Sequence, residues 1–241
     1  MDLAAHENPI LLFSGGKDSL ATLLFMCEQW DDLTVLWVDP GAAHPAMREY
    51  VGSIAARVPH FVEVKGRQPE FIAQHGWPVD VLPARSAKDA PGVAARPINF
   101  IPYQLCCGAN LWTPWMQYAQ VTGSKLVITG QRKADTMRNH LRDTEICEIG
   151  GITYWNPLHS WSDEQVFSYL REQGEPLPPF YTDGATSSPD CWNCTAYLDH
   201  NVGRLQAMKR NEPQRWVQIK PVLEELDRRI KEDSQPLAEL M

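Results

Sequence analysis

The sequence predicts an α/β protein with a doubly wound, mostly parallel sheet and a C-terminal helical extension. Between residues 10 and 129, short apolar runs alternate with segments of helical periodicity, which is typical of parallel strands covered on both faces. After Cys194 the chain is more polar and keeps only helical periodicity. The predicted strands are 10–13, 33–38, 60–64 and 125–129. The predicted helices are 18–30, 46–58, 111–122, 162–172, 202–209 and 217–231.

The remaining segments set the expected domain organisation. Residues 68–103 are rich in Pro, Gly, Ala and Arg and show poor periodicity, so we predict a long loop that acts as a lid or binding loop. The last eight residues, 234–241, are predicted to fray. We therefore expect one sheet domain over residues 1–200 and a helical extension over 201–241.

Composition and charge exclude some classes of function. The 241 residues carry a formal net charge of -8, which argues against a sequence-independent binder of polyanions and does not support a nucleic-acid acceptor. No apolar run approaches the roughly 20 residues of a membrane span. The N-terminus lacks a basic stretch followed by a long apolar segment, so we expect no secretory signal and a cytoplasmic protein that does not bind membranes.

A glycine-rich turn joins the first predicted strand to the first predicted helix. Glycines let the backbone approach a ligand, while the N–H groups and dipole of a helix start favour an anion. A lysine supplies positive charge, two serines supply hydroxyl donors, and the aspartate can cap the helix or hold a metal ion bound to the phosphates. The turn matches neither Walker A nor G-x-G-x-x-G, and the alternative is a tight turn with incidental polarity. Its residues are Ser14, Gly15, Gly16, Lys17, Asp18 and Ser19.

A second basic segment follows a later strand. Arg132 and Lys133 come just after the strand predicted at 125–129, whose carboxyl end lies at the same edge of the sheet as the glycine-rich turn. Arginine suits bidentate contact with phosphate or sulfate oxygens. The sequence therefore favours an anion-binding role over a merely solvated loop.

Four of the six cysteines are grouped in two pairs. A chain of this size in a reducing compartment needs no disulfides, so grouped cysteines indicate a metal or redox site. Four thiolates suit a tetrahedral metal or a four-iron cluster. Zinc, a redox disulfide between Cys191 and Cys194, and plain burial stay as alternatives. The pairs are Cys106 with Cys107 and Cys191 with Cys194. Of the two isolated cysteines, Cys27 is predicted in the core and Cys147 in an edge or loop segment.

Several segments, in order, resemble the phosphoadenosine phosphosulfate (PAPS) reductase family. SGGKDS at 14–19 resembles the PP-loop of the adenine nucleotide alpha-hydrolase-like superfamily. Four further segments resemble characteristic segments of that family: WVDPG at 37–41, TGQRKADTMR at 129–138, NPLHSWSDEQV at 156–166 and the stretch 182–195. The resemblance covers roughly residues 8–200 and identifies the sheet domain as a PP-loop nucleotide-binding domain.

The resemblance implies a set of ligands and site residues. It implies that the substrate is ATP or an adenylyl sulfate (APS or PAPS) and that Lys17, Asp18 and Arg132 are catalytic. It also implies a [4Fe-4S] cluster on the four paired cysteines, as in the APS-reducing branch. The nucleotide would contact Asp39, Gly130 and Lys133 besides Arg132 and the six residues of the turn.

One departure from the family bears on the reaction. Assimilatory reductases carry a further nucleophilic cysteine near their C-terminus, whereas no cysteine follows Cys194 in this sequence. The first hypothesis is therefore ATP cleavage between the α and β phosphates, which adenylates a substrate for sulfur transfer. The second is an APS/PAPS reductase that releases sulfite, and the third is a catalytically silent nucleotide-binding module. A thioredoxin-like or sulfur-donor partner and a homo-oligomer are further expectations.

Overall fold

The computed structural model describes residues 1–82, 97–135, 144–178, 181 and 190–241. Parts of three predicted segments lie outside these residues, namely 83–96 of the predicted loop, 136–138 of the basic segment and 182–189 before the second cysteine pair. Eight strands are described: β1 (Ile10–Leu12), β2 (Thr34–Asp39), β3 (Phe61–Lys65), β4 (Trp77–Val79), β5 (Phe100–Pro102), β6 (Leu126–Ile128), β7 (Ile146–Ile149) and β8 (Ile152–Trp155).

Eight α-helices are described as well, of which the first two alternate with β1, β2 and β3 as predicted. They are α1 (Lys17–Phe25), α2 (Pro45–Ala55), α3 (Gln68–His75), α4 (Tyr103–Cys107), α5 (Thr113–Thr122), α6 (Asp163–Glu172), α7 (Leu198–Asn211) and α8 (Pro213–Ala238). A π-helical turn, Gly108–Trp112, joins α4 to α5, and 3-10 turns occur at Leu3–Ala5, Cys27–Asp32 and Lys133–Asp135.

The main sheet has six strands in the order β3-β2-β1-β6-β8-β7. All neighbours are parallel except β7 and β8, which form an antiparallel edge hairpin. The chain leaves β1 toward β2 and β3 and later returns to the other side of β1 as β6. The carboxyl ends of β1 and β6 therefore flank the crevice where ligands bind in doubly wound sheets.

Alternation along β1 divides the core between the two faces of the sheet. Leu11 packs in a large cluster with residues of α1, α2 and α6, whereas Ile10 packs in a smaller cluster with Trp115 and Ala119 of α5. The structure thus confirms the doubly wound α/β prediction. Burial on both faces also explains why the inner strands read as continuous apolar runs.

The segment predicted as one long loop, 68–103, contains regular structure in its described part. It holds α3, β4 and β5, and β4 pairs in parallel with β5 in a separate two-stranded sheet. Val79 and Phe100 of that sheet pack against Val222 and Leu226 of α8. The loop prediction is wrong for these residues because the strands are only three residues long and are stabilised by tertiary contacts.

Two smaller predictions also fail. Cys27 is exposed rather than buried, since α1 ends at Phe25 and the Trp30 indole donates a 2.8 Å hydrogen bond to the Leu23 carbonyl at that end. Residues 234–238, which are predicted to fray, are helical, because α8 continues through Ala238. Cys147 lies on the edge strand β7, in agreement with its prediction.

The carboxyl end of β6 approaches the start of α1 so closely that no side chain fits between them. A Cβ on Gly130 would lie 2.7 Å from the Asp18 carbonyl carbon and 2.8 Å from the Ser19 nitrogen, both rigid backbone atoms. This contact fixes the distance between the two basic segments.

A pair of glycine substitutions tests this close approach. We expect Gly130→Ala to lower the free energy of unfolding by about 1–3 kcal/mol, because the added methyl group overpacks the contact. Gly52→Ala, in the middle of α2 with no atom within 4 Å of its Cβ position, should raise it by about 0.5–1 kcal/mol. Urea unfolding measures both changes. Equal effects of the two substitutions would contradict the proposed packing.

Candidate functional site

The glycine-rich turn connects β1 to α1 with a tight, internally bonded backbone. Gly15 has φ +79°, and a Cβ there would overlap the Met47 sulfur, so both conformation and space require glycine. The Ser19 hydroxyl donates to the Gly16 carbonyl at 3.0 Å and accepts from the Ser14 backbone N–H at 3.2 Å. Gly16 is the N-cap of α1 and makes no side-chain cap hydrogen bond. The turn is therefore rigid, and the start of the helix remains suited to an anion.

Two cations converge with two carboxylates beside this turn. Lys17 Nζ lies 2.8 Å from both Asp18 Oδ2 and Asp163 Oδ1. Arg132 places Nε 2.8 Å from Asp18 Oδ1 and Nη2 2.8 Å from Asp163 Oδ1. The Lys17 and Arg132 side chains are 6% and 2% exposed, whereas Asp163 is 65% exposed. These four side chains, called the charge cluster below, bring α1, α6 and the carboxyl end of β6 to one point.

Contacts within the charge cluster favour the charged forms of Lys17 and Asp163. Burial alone lowers the pKa of Lys17, but the Asp18 charge and hydrogen bonds to Asp163 and Asp18 outweigh it, so this pKa is raised. The hydrogen bond from Lys17 is the largest cause that lowers the pKa of Asp163. Lys17 is thus a protonated, buried cation that can donate to phosphate or sulfate oxygens.

The other predicted contact residues lie around the same edge of the sheet. Asp39, at the end of β2, is 2% exposed and forms a two-point ion pair with Arg48, and it accepts from the Gly41 N–H at 2.9 Å. Its side chain holds the following loop in place. Lys133 is exposed, and its backbone N–H donates to the His159 carbonyl at 2.7 Å. Nucleotide contacts at Asp39, Gly130 and Lys133 stay predictions.

Sequence reasoning missed Asp163 and the residues around it. Asp163 is the first residue of α6, after the N-cap Ser162, and an acidic residue there is explained by helix capping alone. The Trp161 carbonyl accepts from Arg132 Nη1 at 3.2 Å, and the Phe167 ring centroid lies 5.8 Å from Lys17 Nζ. The available signal in the sequence was that Trp161 and Asp163 lie within the family-like segment 156–166. Nothing in that segment distinguishes a site residue from a helix-capping residue.

The two cysteine pairs come together at a second place. Cys106 and Cys107 end α4, and Cys191 and Cys194 form a turn before α7 in which the Cys194 N–H donates to the Cys191 carbonyl at 3.3 Å. The Tyr103 and Tyr197 rings, 4.5 Å apart, join the two segments. All four thiols are free of disulfides.

The environment of the four thiols favours their neutral forms. Burial, followed by the charge of Cys194, raises the pKa of Cys106 to about 11 and raises the pKa of Cys107 and Cys191 further. Within the described residues, no group of three or more His, Cys, Asp or Glu side chains is placed to hold a metal ion. The donor set itself, four thiols in mutual electrostatic contact, fits a soft metal cluster, whose binding would deprotonate them.

The residues around the thiols form a polar support. The Asn110 amide donates to the Cys106 carbonyl at 2.9 Å and approaches the Cys106 sulfur at 3.9 Å. Arg204, 5% exposed, donates to the Cys194 carbonyl at 2.8 Å and also to the Trp192 carbonyl. In metal sites, hydrogen bonds of this kind to the ligand-bearing segments hold the ligands in position.

Hydrogen bonds connect the second cysteine pair to the loops at the carboxyl edge of the main sheet. The Trp192 N–H donates to the Ala42 carbonyl at 2.9 Å, in the loop between β2 and α2. Gln68, at the start of α3, exchanges two hydrogen bonds with Asn193 at 2.9 and 3.2 Å. The cysteine turn and the sheet edge are therefore parts of one hydrogen-bonded structure.

In the part of the chain that the structure describes, no helix combines the length and apolarity needed to cross a bilayer.

One solved structure shares this architecture. A solved structure of PAPS reductase from Candida auris, in complex with phosphate, has a TM-score of 0.55 at 23% identity, with 78% of this chain and 83% of that chain covered. An FMN adenylyltransferase structure from Candida glabrata has a TM-score of 0.49 at 16% identity, covering 76% of this chain and 54% of that one.

Sequence comparisons give the family. An adenosine 5'-phosphosulfate reductase from Burkholderia cepacia is 33% identical over 82 residues, which are 32% of this chain and 32% of that protein. This chain thus matches only about a third of the length of that curated relative. The family described as phosphoadenosine phosphosulfate reductase domain matches residues 8–197, which is most of the chain. The chain therefore belongs to the phosphoadenosine phosphosulfate reductase domain family.

Proposed function

We propose that this chain binds an adenine nucleotide at the charge cluster and cleaves ATP between its α and β phosphates, next to a four-cysteine [4Fe-4S] cluster, in sulfur metabolism or sulfur transfer. The observation that carries the proposal is the pair of buried cations, Lys17 and Arg132, beside the N-terminus of α1 and the carboxyl end of β6. An anionic group is the ligand that such an arrangement binds best. Membership of a family named for a phosphorylated adenosine sulfate supports an adenine nucleotide.

The chemistry follows from where charge grows during cleavage. Breaking the α–β bond places additional negative charge on the departing pyrophosphate. Lys17 and Arg132 donate hydrogen bonds from a site with little solvent, where such contacts stabilise developing charge more strongly than they do in water. The rigid glycine turn keeps the backbone of α1 in position for the phosphates, so little reorganisation is needed during the reaction.

Asp18 is the residue that we assign to Mg²⁺ binding. Its carboxylate is 25% exposed at the start of α1 and contacts both cations of the charge cluster. Carboxylate and phosphate oxygens are the ligands that Mg²⁺ prefers, and the bound ion would neutralise phosphate charge.

The four paired cysteines are the residues that would hold the [4Fe-4S] cluster. Such a cluster would supply electrons or bind sulfur when present. Asn110 and Arg204 would keep the ligand-bearing backbone in place, because they donate to the Cys106 and Cys194 carbonyls. Arg204 would also bring positive charge close to a negatively charged group of thiolates.

A second function, sulfonucleotide reduction with release of sulfite, is favoured by the comparisons. The matching family and the relative from Burkholderia cepacia both carry reductase names. That reaction would need a thioredoxin-like reductant and a nucleophilic thiol, and α7 and α8, which follow Cys194, contain no cysteine.

Binding measurements with a lysine variant test the nucleotide site. Lys17→Met should weaken binding of Mg·ATP and of inorganic pyrophosphate roughly 10- to 100-fold, because it removes a charge-assisted hydrogen bond. Lys65→Met is a matched control, since Lys65 is exposed at the end of β3 and its ammonium lies 3.7 Å from the Glu63 carboxylate in a weak ion pair. Isothermal titration calorimetry measures both, and unchanged affinity in Lys17→Met would refute the site.

The two reactions are separated by their products. Anaerobically purified protein with Mg·ATP and candidate sulfur acceptors should release pyrophosphate, whereas APS or PAPS with thioredoxin should yield no sulfite. Arg132→Lys should lower the pyrophosphate rate roughly 10²-fold, since it loses the planar two-point contact of arginine. Release of sulfite without pyrophosphate would establish the reductase instead. If the protein binds nucleotide but releases neither product, it is a catalytically silent binding module.

Iron analysis tests the cysteine assignment. The anaerobic wild-type protein should be brown and contain about four irons per chain, as a four-iron cluster requires. Cys106→Ser should lose the iron and the colour, whereas Cys147→Ser, on the edge strand β7, should keep both. Stoichiometric zinc in place of iron, or iron retained by Cys106→Ser, would contradict the assignment.

A further inference from the structure

Asp163 binds the two cations of the charge cluster through one oxygen. Its Oδ1 lies 2.8 Å from Lys17 Nζ and 2.8 Å from Arg132 Nη2. A single oxygen that accepts from both a lysine and an arginine has the surroundings that a phosphate or sulfate oxygen would have in the same place. The carboxylate thus occupies an anion position made by the chain itself.

Exposure distinguishes Asp163 from its neighbours in the cluster. Lys17 and Arg132 are almost completely buried, and Asp18 is 25% exposed, whereas Asp163 is 65% exposed. The first turn of α6 therefore supplies the outermost group of the cluster. Asp163 is therefore the member of the charge cluster that is most accessible to an anion in solvent.

We propose that Asp163 is an internal competitor for the ligand anion, holding Lys17 and Arg132 in place until a phosphate or sulfate oxygen replaces it. The exchange conserves hydrogen bonds, because both cations pass from a carboxylate oxygen to a ligand oxygen. It keeps the buried cations paired in the free protein, since burying an unpaired charge is costly. Asp163 then acts as a positioning residue that sets the affinity for anions, and this inference rests on the proposed nucleotide site.

Neutral variants of Asp163 test the competition. Asp163→Asn should bind inorganic pyrophosphate roughly tenfold more tightly than wild type in EDTA, because the competing charge is gone. Glu164→Gln is the matched control: it removes the same charge from the same helical turn, and Glu164 is exposed and forms no ion pair among the described contacts. It should change the affinity by less than about twofold, because its charge is screened by solvent. Asp163→Ser provides a second variant, and thermal unfolding verifies that each variant folds.

The outcomes separate this inference from the proposed nucleotide site. The competition would be overturned if Asp163→Asn and Asp163→Ser bind pyrophosphate no more tightly than Glu164→Gln does. It would also be overturned if the Asp163 variants bind Mg·ATP more weakly than wild type, because Asp163 would then be a metal ligand. Loss of pyrophosphate binding in Lys17→Met together with tighter binding in Asp163→Asn supports both proposals. Unchanged binding in Lys17→Met would overturn the nucleotide site itself.

Discussion

The need to pair two buried cations determines how this site is built. Lys17 and Arg132 lie in an environment with almost no solvent, where an unpaired charge would cost several kcal/mol. Asp18 from α1 and Asp163 from α6 satisfy that need, and the pairing fixes the first turns of both helices against the carboxyl end of β6. Gly130 allows this close approach because it has no side chain, and a Cβ at that position would overlap the backbone of α1. The charge cluster is therefore fixed by contacts within the chain itself.

The same edge of the sheet also supports the cysteine site. The loop after β2 receives a hydrogen bond from Trp192, and Gln68 after β3 is paired with Asn193. Both partners lie between Cys191 and Cys194, so the cysteine turn is hydrogen-bonded to the loops that follow β2 and β3. This connection links the backbone of the cysteine turn to the carboxyl edge of the main sheet.

The sequence predicted the elements that have strong local signals. The inner strands appear as apolar runs because both of their faces are buried, and the glycine turn is visible because its backbone geometry requires glycine. The β7–β8 hairpin was missed, although Gly150 and Gly151, both at positive φ, mark a two-residue turn. Asp163 was not predicted as a site residue, because its role comes from two residues far away in sequence. Pairings of that kind depend on tertiary structure rather than on local pattern.

A crystal structure of the protein with Mg²⁺ and a non-hydrolysable ATP analogue would test the central claim most directly. The account predicts that phosphate oxygens contact Lys17 Nζ and the Arg132 guanidinium, with the nucleotide in the crevice between β1 and β6. It also predicts that the Asp163 carboxylate no longer contacts either cation. Phosphates bound elsewhere, for example in the roughly 650 Å³ cavity beside Lys65 and Arg67 at the end of β3, would contradict it.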